Sequence, residues 1–271
     1  MSTTPTKRAY LTVLTSRNYL KGVQILKHSL DQTNPQYPFY VLLPQTISAD
    51  MVHSLEDSGI DCLYAEPFGD EIINRDNKID YWKETLFKLK VFDLTQFDKL
   101  VFLDSDMIVL NNLDHLFDHP HISCVAAGQE LHADWVDLNS GIMVIEPSHR
   151  DYLGLVALID PVYEKKHSLG QGIGDQDIIE TYFSDWKKRP ELHLDSRYNT
   201  MLGYAGYLRK NGTIRTIDDL FVYHYTGREK PWRGNLREDI AILLKILKRS
   251  KSLLDLQVFL RYKSCLKKLT P

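Results

Sequence analysis

The first quarter of the chain alternates between two hydrophobic periods. Short runs rich in β-branched and aromatic residues at 9–15, 37–43 and 59–64 predict strands. Between them, apolar residues three and four positions apart at 20–30 and 49–57 predict amphipathic helices. Strands that alternate with helices build a parallel sheet covered by helices on its faces. We therefore expect an α/β protein.

Later segments continue this alternation less regularly. Helical spacing recurs at 82–94, at 151–164, at 175–183 and in a single turn at 113–117. The run 140–146, which ends before Pro147, predicts a further strand, and the irregular, charged segment 65–81 predicts a mobile loop. A glycine-rich stretch at 170–174 leads to Asp175, which by itself would suit the N-cap of the helix that follows.

The run 99–110 is apolar and strand-forming except at its centre, where Asp104-Ser105-Asp106 interrupts it. Two carboxylates in a buried segment are costly unless a cation neutralises them. Residues i and i+2 of an extended segment point to the same side, so Asp104 and Asp106 can converge on one ion. Oxygen ligands of this kind suit Mg²⁺ or Mn²⁺ shared with substrate phosphates. The alternative is an acidic turn at a strand end, which the same three residues also favour.

The overall composition is typical of a globular protein. With 271 residues, of which 43% are hydrophobic and 25% charged, the chain can form one large α/β domain. No repeat or linker divides it, so we place one domain at 9–235 and a tail at 236–271. Three cysteines without metal-type spacing indicate neither a zinc site nor a disulfide framework. With a polar N-terminus, they lead us to expect a cytoplasmic protein.

The tail differs from the rest of the chain in charge. Residues 240–271 contain eight basic residues and one acidic residue, although the whole chain has a formal net charge of −3. Two apolar helical faces run through it, formed by Ile240, Leu243, Leu244 and Leu247 and by Leu253, Leu256 and Leu260. Such helices predict peripheral contact with an anionic membrane. The alternative, which we favour, is packing on the domain or on a partner in a homodimer. The acidic remainder argues against a nucleic-acid partner.

Five sequence blocks occur together in an order that resembles glycosyltransferase family 8. They are Phe87-Lys88-Leu89, Leu103-Asp104-Ser105-Asp106, Leu138-Asn139-Ser140-Gly141, Gly174-Asp175-Gln176 and the run from His224 to Trp232. The glycogenin and galactinol synthase branch is the nearest, and the likeness extends from about Ala9 to Trp232. The resemblance implies a GT-A fold, which is a Rossmann-like, mixed but mainly parallel sheet flanked by helices. It also implies a UDP-sugar donor, Mn²⁺ (with Mg²⁺ as the alternative) and retention of anomeric configuration.

The resemblance assigns the metal ligands. Asp104 and Asp106 match the two carboxylate ligands, and His224 matches the third protein ligand. Two carboxylates and one imidazole leave positions for phosphate oxygens and favour Mn²⁺ over Mg²⁺. Without the resemblance, the sequence favours His224 as an ordinary strand residue.

The resemblance also implies a donor site made of residues from the whole chain. The matching positions are Val13, Thr15, Ser16 and Tyr19 for uridine, Ser105 for ribose, Asn139 and Ser140 for the sugar, Gly227 and Lys230 for the diphosphate, and Asp175 and Gln176 beside the reacting sugar. Lys88 matches a lysine that contacts the donor. Tyr19 would stack on uracil, and Lys230 would place positive charge on the leaving phosphate.

Asp175, Gln176 and Lys230 are therefore the implied catalytic residues. Asp175 is either the nucleophile of a covalent route or, as we favour, an electrostatic stabiliser of front-face attack. Two positions depart from the branch. Gly172 stands where an acidic residue is common, and Ile79 stands at the spacing of a donor-binding arginine, for which Arg75 or Lys78 could substitute.

The function that the resemblance implies is transfer of a hexose, glucose or galactose, from UDP to a hydroxyl of a separate acceptor. That acceptor would be a sugar, a polyol, a glycan or a lipid-linked molecule. One alternative is a self-glucosylating primer like glycogenin, because Tyr204 and Tyr207 lie near the position of that branch's acceptor tyrosine. Another is a nucleotide-sugar-binding protein without catalysis, but the retained metal and catalytic positions argue against it.

Overall fold

A computed structural model describes residues 7–69, 85–128, 134–250 and 252–269. Most of the predicted loop 65–81, including Arg75, Lys78 and Ile79, lies outside these residues, as does the start of the predicted helix 82–94. The described end of that helix, Phe87–Asp93, is a 3₁₀ helix.

Seven strands form a central sheet in the order β3-β2-β1-β4-β7-β6-β8. Their bounds are Arg8–Val13 (β1), Phe39–Pro44 (β2), Asp61–Ala65 (β3), Lys99–Leu103 (β4), Ser123–Ala127 (β6), Asp137–Ile145 (β7) and His193–Leu194 (β8). β7 is antiparallel to both of its neighbours, β4 and β6, whereas the other neighbouring pairs are parallel. The predicted mixed, mainly parallel sheet is thus confirmed.

A second, smaller sheet was not predicted. It has the order β5-β10-β9, in which β5 is Met107–Val109, β9 is Thr200–Met201 and β10 is Val222–His224. Each of these strands has three residues or fewer, which is too short for a hydrophobic period to reveal the sheet from the sequence. β10 pairs antiparallel with β5, and His224 lies opposite Met107. This pairing brings the end of β10 beside the Asp-Ser-Asp segment.

Eight helices flank the sheets in the described residues. Their bounds are Leu20–Asp31 (α1), Ala49–Glu56 (α2), His149–Ala157 (α3), Ile159–Ser168 (α4), Asp175–Tyr182 (α5), Ala205–Lys210 (α6), Leu236–Arg249 (α7) and Leu253–Leu269 (α8). Short 3₁₀ turns lie at Arg17–Tyr19, Asp114–Asp118, Trp186–Lys188, Pro190–Leu192, Ser196–Tyr198 and Ile217–Asp219. The helix predicted at 151–164 is two helices in the structure. Pro161 has no N–H to donate to the Ala157 carbonyl, so the helical hydrogen bonding is interrupted there.

The strand period sends alternate residues of each central strand into two different cores. On β4, Leu100 and Phe102 face the cluster beneath α3, α4 and α5, while Val101 and Leu103 face the cluster beneath α1 and α2. The predicted 9–15 and 37–43 strands follow the same rule. Because both faces are covered, the strands are apolar on both sides, as their sequences indicated.

A third cluster joins the C-terminal helices to the second sheet. It contains Ile25 of α1, Tyr223 of β10 and, from α8, Val258, Phe259 and Tyr262. α8 therefore packs on the protein with one face, as the packing alternative for the tail required. Some of the predicted apolar positions nevertheless point outward, and Leu244, Leu247 and Leu260 are more than half exposed. No helix in the described ranges is long and apolar enough to cross a membrane.

Asp255 fastens α8 to this cluster from a fully buried position. Its Oδ1 accepts hydrogen bonds from the Tyr223 hydroxyl at 2.5 Å and from the Gly203 N–H at 3.0 Å, and its Oδ2 accepts one from Ser250. Burial, together with the adjacent carboxylate, raises the pKa of Tyr223 well above its usual value, so the phenol keeps its proton and donates. The sole acidic residue of the 240–271 segment is thus its internal anchor.

Replacing this anchor should destabilise the protein. In Asp255→Ala, the buried donors of Tyr223, Gly203 and Ser250 lose their acceptor, which should lower the free energy of unfolding by about 2–5 kcal/mol. Asp255→Asn keeps one acceptor oxygen and should cost less. Urea denaturation measures both, with Asp185→Ala, an exposed position, as the control. Equal stability of Asp255→Ala and the control would contradict this role.

Candidate active site

The acidic segment lies where the two sheets meet. Asp104, Ser105 and Asp106 connect the end of β4 to the start of β5. The Asp104 N–H donates to the Gly141 carbonyl of β7 at 2.9 Å, and the Asp106 carbonyl accepts from the Tyr225 N–H at 2.9 Å. The backbone of this segment is therefore fixed to both sheets, and its side chains are aimed without depending on a bound ion.

Asp104, Asp106 and His224 form a cluster whose ligand atoms all lie within 4.8 Å of one another. The His224 Nε2 lies 2.9 Å from Asp106 Oδ1 and 3.8 Å from Asp104 Oδ2. All three side chains are buried or nearly so. Two carboxylates and an imidazole on one side leave the opposite side open, which fits a divalent ion that shares its remaining positions with phosphate oxygens.

A chain of hydrogen bonds fixes which nitrogen of His224 faces this cluster. The Gly141 N–H donates to Asn139 Oδ1 at 2.9 Å, so that atom is an acceptor. Asn199 Nδ2 donates to the same oxygen at 2.6 Å, which leaves Asn199 Oδ1 to accept from His224 Nδ1 at 2.9 Å. Nδ1 therefore carries a proton, and Nε2 is the nitrogen that faces the aspartates and whose lone pair would be available to a bound ion. Asn199 is 2% exposed and belongs to none of the recognised sequence blocks.

Two buried lysines neutralise the carboxylates. Lys88 Nζ lies 2.8 Å from Asp104 Oδ1 and 2.8 Å from Asp175 Oδ2, and Lys230 Nζ lies 2.5 Å from Asp106 Oδ2. Burial by itself would raise the pKa of Asp106, but the charges of His224 and Lys230 outweigh burial and hold that pKa well below its usual range. For Asp104, burial dominates and raises the pKa. Lys88 is buried, with only 6% of its surface exposed.

Asp175 begins α5 but does not cap it, because Gly174 occupies the N-cap position. Asp175 Oδ2 accepts from the Ser140 hydroxyl at 2.7 Å as well as from Lys88. Next to it, Gln176 Oε1 accepts from the Ser140 N–H at 3.3 Å, so the amide NH₂ of Gln176 is not used in that bond. The α5 N-terminus and β7 together hold these polar groups in place.

A cavity of about 450 Å³ brings nearly all of the predicted site residues together. Its lining includes the predicted positions Val13, Thr15, Tyr19, Lys88, Asp104, Ser105, Asp106, Asn139, Ser140, Asp175, Gln176, His224, Gly227 and Lys230. Ser16 is the predicted position that the lining does not include. Its hydroxyl accepts from the Asn18 N–H at 3.4 Å and caps the turn Arg17–Tyr19. The lining also contains Thr85, Asp177 and Thr226, which the sequence did not single out.

Trp232 packs against Tyr19, which lines the cavity. Its ring lies 5.5 Å from that of Tyr19, and its indole N–H donates to the Asn18 carbonyl at 2.7 Å. The Lys230 ammonium lies over both rings, at 5.6 Å from Tyr19 and 5.9 Å from Trp232, where cation–π attraction stabilises it. Gly22 of α1 permits the close approach of the Asp-Ser-Asp segment to this helix, since a Cβ there would lie 2.6 Å from the Ser105 carbonyl oxygen. Gly22, like Asn199, carries no sequence signal for a site.

Asn199 should control metal affinity through His224. In Asn199→Ala, the imidazole loses the acceptor that holds its proton on Nδ1, and the dissociation constant for Mn²⁺ should rise about 10–100-fold. Titration of the protein with Mn²⁺, followed by the electron paramagnetic resonance of the free ion, measures this directly. Asn211→Ala, at an exposed position, should leave the constant unchanged. Unaltered Mn²⁺ binding by a folded Asn199→Ala variant would show that the relay does not orient His224.

The sequence is similar to glycogenins and to plant xylan glucuronosyltransferases. It is 31% identical over 235 residues to glycogenin-1 of Caenorhabditis elegans, which covers 84% of this chain and 51% of that protein. It is 32% identical to human glycogenin-1, covering 84% of this chain and 63% of the relative. It is 29% identical to UDP-glucuronate:xylan alpha-glucuronosyltransferase 2 of Arabidopsis thaliana, covering 84% and 36%. The chain spans about half the length of the nematode relative and about a third of the plant one.

Solved structures show the same fold. The galactosyltransferase LgtC, solved with donor and acceptor sugar analogues, aligns over 97% of this chain and 96% of its own with a TM-score of 0.64 and 17% identity. The glycosyltransferase GlyE of Streptococcus pneumoniae aligns over 97% of this chain and 63% of its own with a TM-score of 0.59 and 21% identity. The sequence profile described as Glycosyl transferase family 8 matches residues 10–235. The chain therefore belongs to glycosyltransferase family 8.

Proposed function

We propose that this protein is a Mn²⁺-dependent, retaining glycosyltransferase that transfers a hexose, glucose or galactose, from a UDP-sugar to a hydroxyl of a separate acceptor. The observation that carries the proposal is the convergence of Asp104, Asp106 and His224 beside Lys230 in one cavity. A cation-binding cluster next to a buried ammonium is what a diphosphate leaving group requires. The family membership supports the same reaction class.

The cavity offers three chemically different regions to such a donor. Val13, Thr15 and Tyr19 follow β1, at the carboxyl end of a parallel strand, and would hold the uridine. Gly227, with φ of 103°, allows the backbone after β10 to approach the diphosphate closely. Asn139, Ser140, Asp175 and Gln176 line the region left for the sugar.

Asp104, Asp106 and His224 would hold the Mn²⁺, and bound there the ion would stabilise negative charge on the leaving diphosphate as a Lewis acid. Lys230 supplies a second positive charge at the same place. Its ammonium is 2% exposed, and in such a dry site its attraction for a developing phosphate charge is stronger than in water. Tyr225 and Asp106 keep it aimed through hydrogen bonds of 2.9 and 2.5 Å.

Asp175 fits the role of an electrostatic stabiliser. Its Oδ2 is held by Lys88 and by the Ser140 hydroxyl, and a carboxylate oxygen that accepts two hydrogen bonds is a weaker nucleophile. The negative charge can still stabilise the oxocarbenium-like sugar as the bond to the phosphate lengthens. These contacts support front-face attack by the acceptor over a covalent intermediate. Gln176 would hydrogen-bond the sugar through its amide NH₂.

A panel of UDP-sugars tests the proposal through metal-dependent release of UDP. We expect turnover with UDP-glucose or UDP-galactose and Mn²⁺, and a loss of at least about 100-fold in kcat for Asp106→Asn, which removes a charge from the metal cluster but keeps its shape. Asp185→Asn, an exposed change, should have full activity. Circular dichroism confirms that each variant is folded. Turnover by Asp106→Asn equal to that of the control would refute the assignment.

A glycogenin-like, self-glucosylating function is a second candidate because two glycogenins are 31% and 32% identical to this chain. Tyr204 and Tyr207 pack against each other at 5.7 Å and are absent from the lining of the donor cavity in the described structure. Self-transfer to them would therefore require a second copy of the protein. Intact mass spectrometry after incubation with UDP-glucose and Mn²⁺ decides the matter. We expect no added hexose, and a ladder of hexose increments lost in Tyr204→Phe or Tyr207→Phe would instead establish self-glucosylation.

A further inference from the structure

A second cavity, of about 840 Å³, opens between α6, the end of α7 and the start of α8. It shares no described lining residue with the donor cavity. Its charged lining residues are all basic: Arg209 and Lys210 at the end of α6, and Lys248 and Arg249 at the end of α7. We call these four side chains the basic cluster. Two separate helices thus direct four positive charges to one concave surface.

The basic cluster is not neutralised by the protein. Two other lysines of the C-terminal helices do have acidic partners: Lys245 pairs with Glu229, and Lys263 pairs with Asp239 at 2.8 Å. Within the described residues, none of the four cluster side chains has an ion pair or a side-chain hydrogen bond. The nearby carboxylate of Asp255 is fully buried and used internally. Four unpaired cations at one concavity create a positive potential that attracts an anionic partner.

Exposed leucines border the basic cluster. Leu253 lines the same cavity and is 70% exposed. Leu247, which directly precedes Lys248, is 68% exposed, and Leu244, one turn earlier on the same face of α7, is 57% exposed. Exposed leucines occur singly on most proteins, but three of them beside four unpaired cations form an amphipathic surface. The sequence of the tail indicated such helices, and the structure shows which side chains remain available after packing.

We propose that the basic cluster and Leu244, Leu247 and Leu253 form a docking surface for an anionic lipid bilayer. The cations would contact lipid phosphates while the leucines enter the interface between headgroups and acyl chains. A second copy of this chain fits worse, because a two-fold contact would place two basic clusters against each other. A nucleic acid would leave the leucines in water. A bilayer with anionic headgroups above an apolar layer satisfies both sets of side chains.

This proposal rests on the proposed function for its purpose, since a docked enzyme would meet acceptors that are themselves lipid-linked. Its test is independent of catalysis because vesicle binding is measured without UDP-sugar or Mn²⁺. We expect the full chain to sediment with vesicles of phosphatidylcholine mixed with phosphatidylglycerol and to stay in solution with phosphatidylcholine alone. The inactive Asp106→Asn variant should bind like the unaltered protein. Failure of the glycosyltransferase assay would thus not affect this result.

Two paired variants separate the contributions. Lys210→Ala with Lys248→Ala, and Leu244→Ser with Leu247→Ser, should each weaken partitioning into anionic vesicles at least about tenfold. The matched controls change exposed residues on other helices or turns, Lys165→Ala with Lys188→Ala and Leu153→Ser with Leu169→Ser, and should bind normally. All eight side chains are exposed, and none of them has a described ion pair. The variants should therefore fold, as circular dichroism can verify.

Several results would overturn the proposal. One is equal binding to neutral and anionic vesicles, and another is no binding to either. Retention of full binding by the leucine variant would show that apolar insertion is not involved. Displacement from vesicles by inorganic phosphate, but not by chloride at the same ionic strength, would indicate a pocket for a soluble anion. A dimer in light scattering that becomes monomeric in the leucine variant, with vesicle binding unchanged, would assign the leucines to self-association.

Discussion

The burial of negative charge at the junction of the two sheets is the constraint on which the site depends. Asp104, Asp106 and Asp175 lie close together with little access to water, and isolated carboxylates there would be strongly disfavoured. Lys88 and Lys230 offset this cost with direct ion pairs. The lysines and the carboxylates therefore stabilise one another, and the removal of any member leaves an uncompensated charge. The residues that we propose for catalysis are thus also members of structural ion pairs.

The second sheet is what gives this charge cluster its geometry. Without the β5–β10 pairing, His224 would have no fixed relation to Asp106, and the loop that carries Lys230 would have no defined start. The relay from Gly141 through Asn139 and Asn199 then ties the imidazole back to the central sheet. Three chain segments distant in sequence thus determine the orientation of a single ring. Restraint of a side chain by several segments is typical of sites in which small displacements reduce activity.

Sequence patterns predicted the parts of this molecule that are periodic or that match a known family. The alternating strands and helices up to 64, the mixed sheet and the acidic segment follow from the spacing of apolar residues and from the sequence blocks. The strands β5, β9 and β10 have two or three residues each, too few for a periodicity that would reveal their pairing, so the second sheet could not be predicted. The same holds for β8 at the edge of the central sheet. Asn199 and Gly22 act through contacts with distant residues, which no local pattern encodes. The break at Leu158, by contrast, has a local cause in Pro161, which the helix predicted at 151–164 did not take into account.

The packing of α8 has a consequence for how the protein is made. Tyr262 lies 4.8 Å from the ring of Tyr225 and 6.5 Å from that of Trp232, and Lys263 donates to the Pro231 carbonyl at 3.3 Å. The loop that carries Lys230 is therefore enclosed by side chains that the ribosome adds more than thirty residues later. A nascent chain can form the central sheet early, yet the loop that carries Lys230 is not enclosed until α8 has emerged. The proposed donor site is therefore complete only late in synthesis.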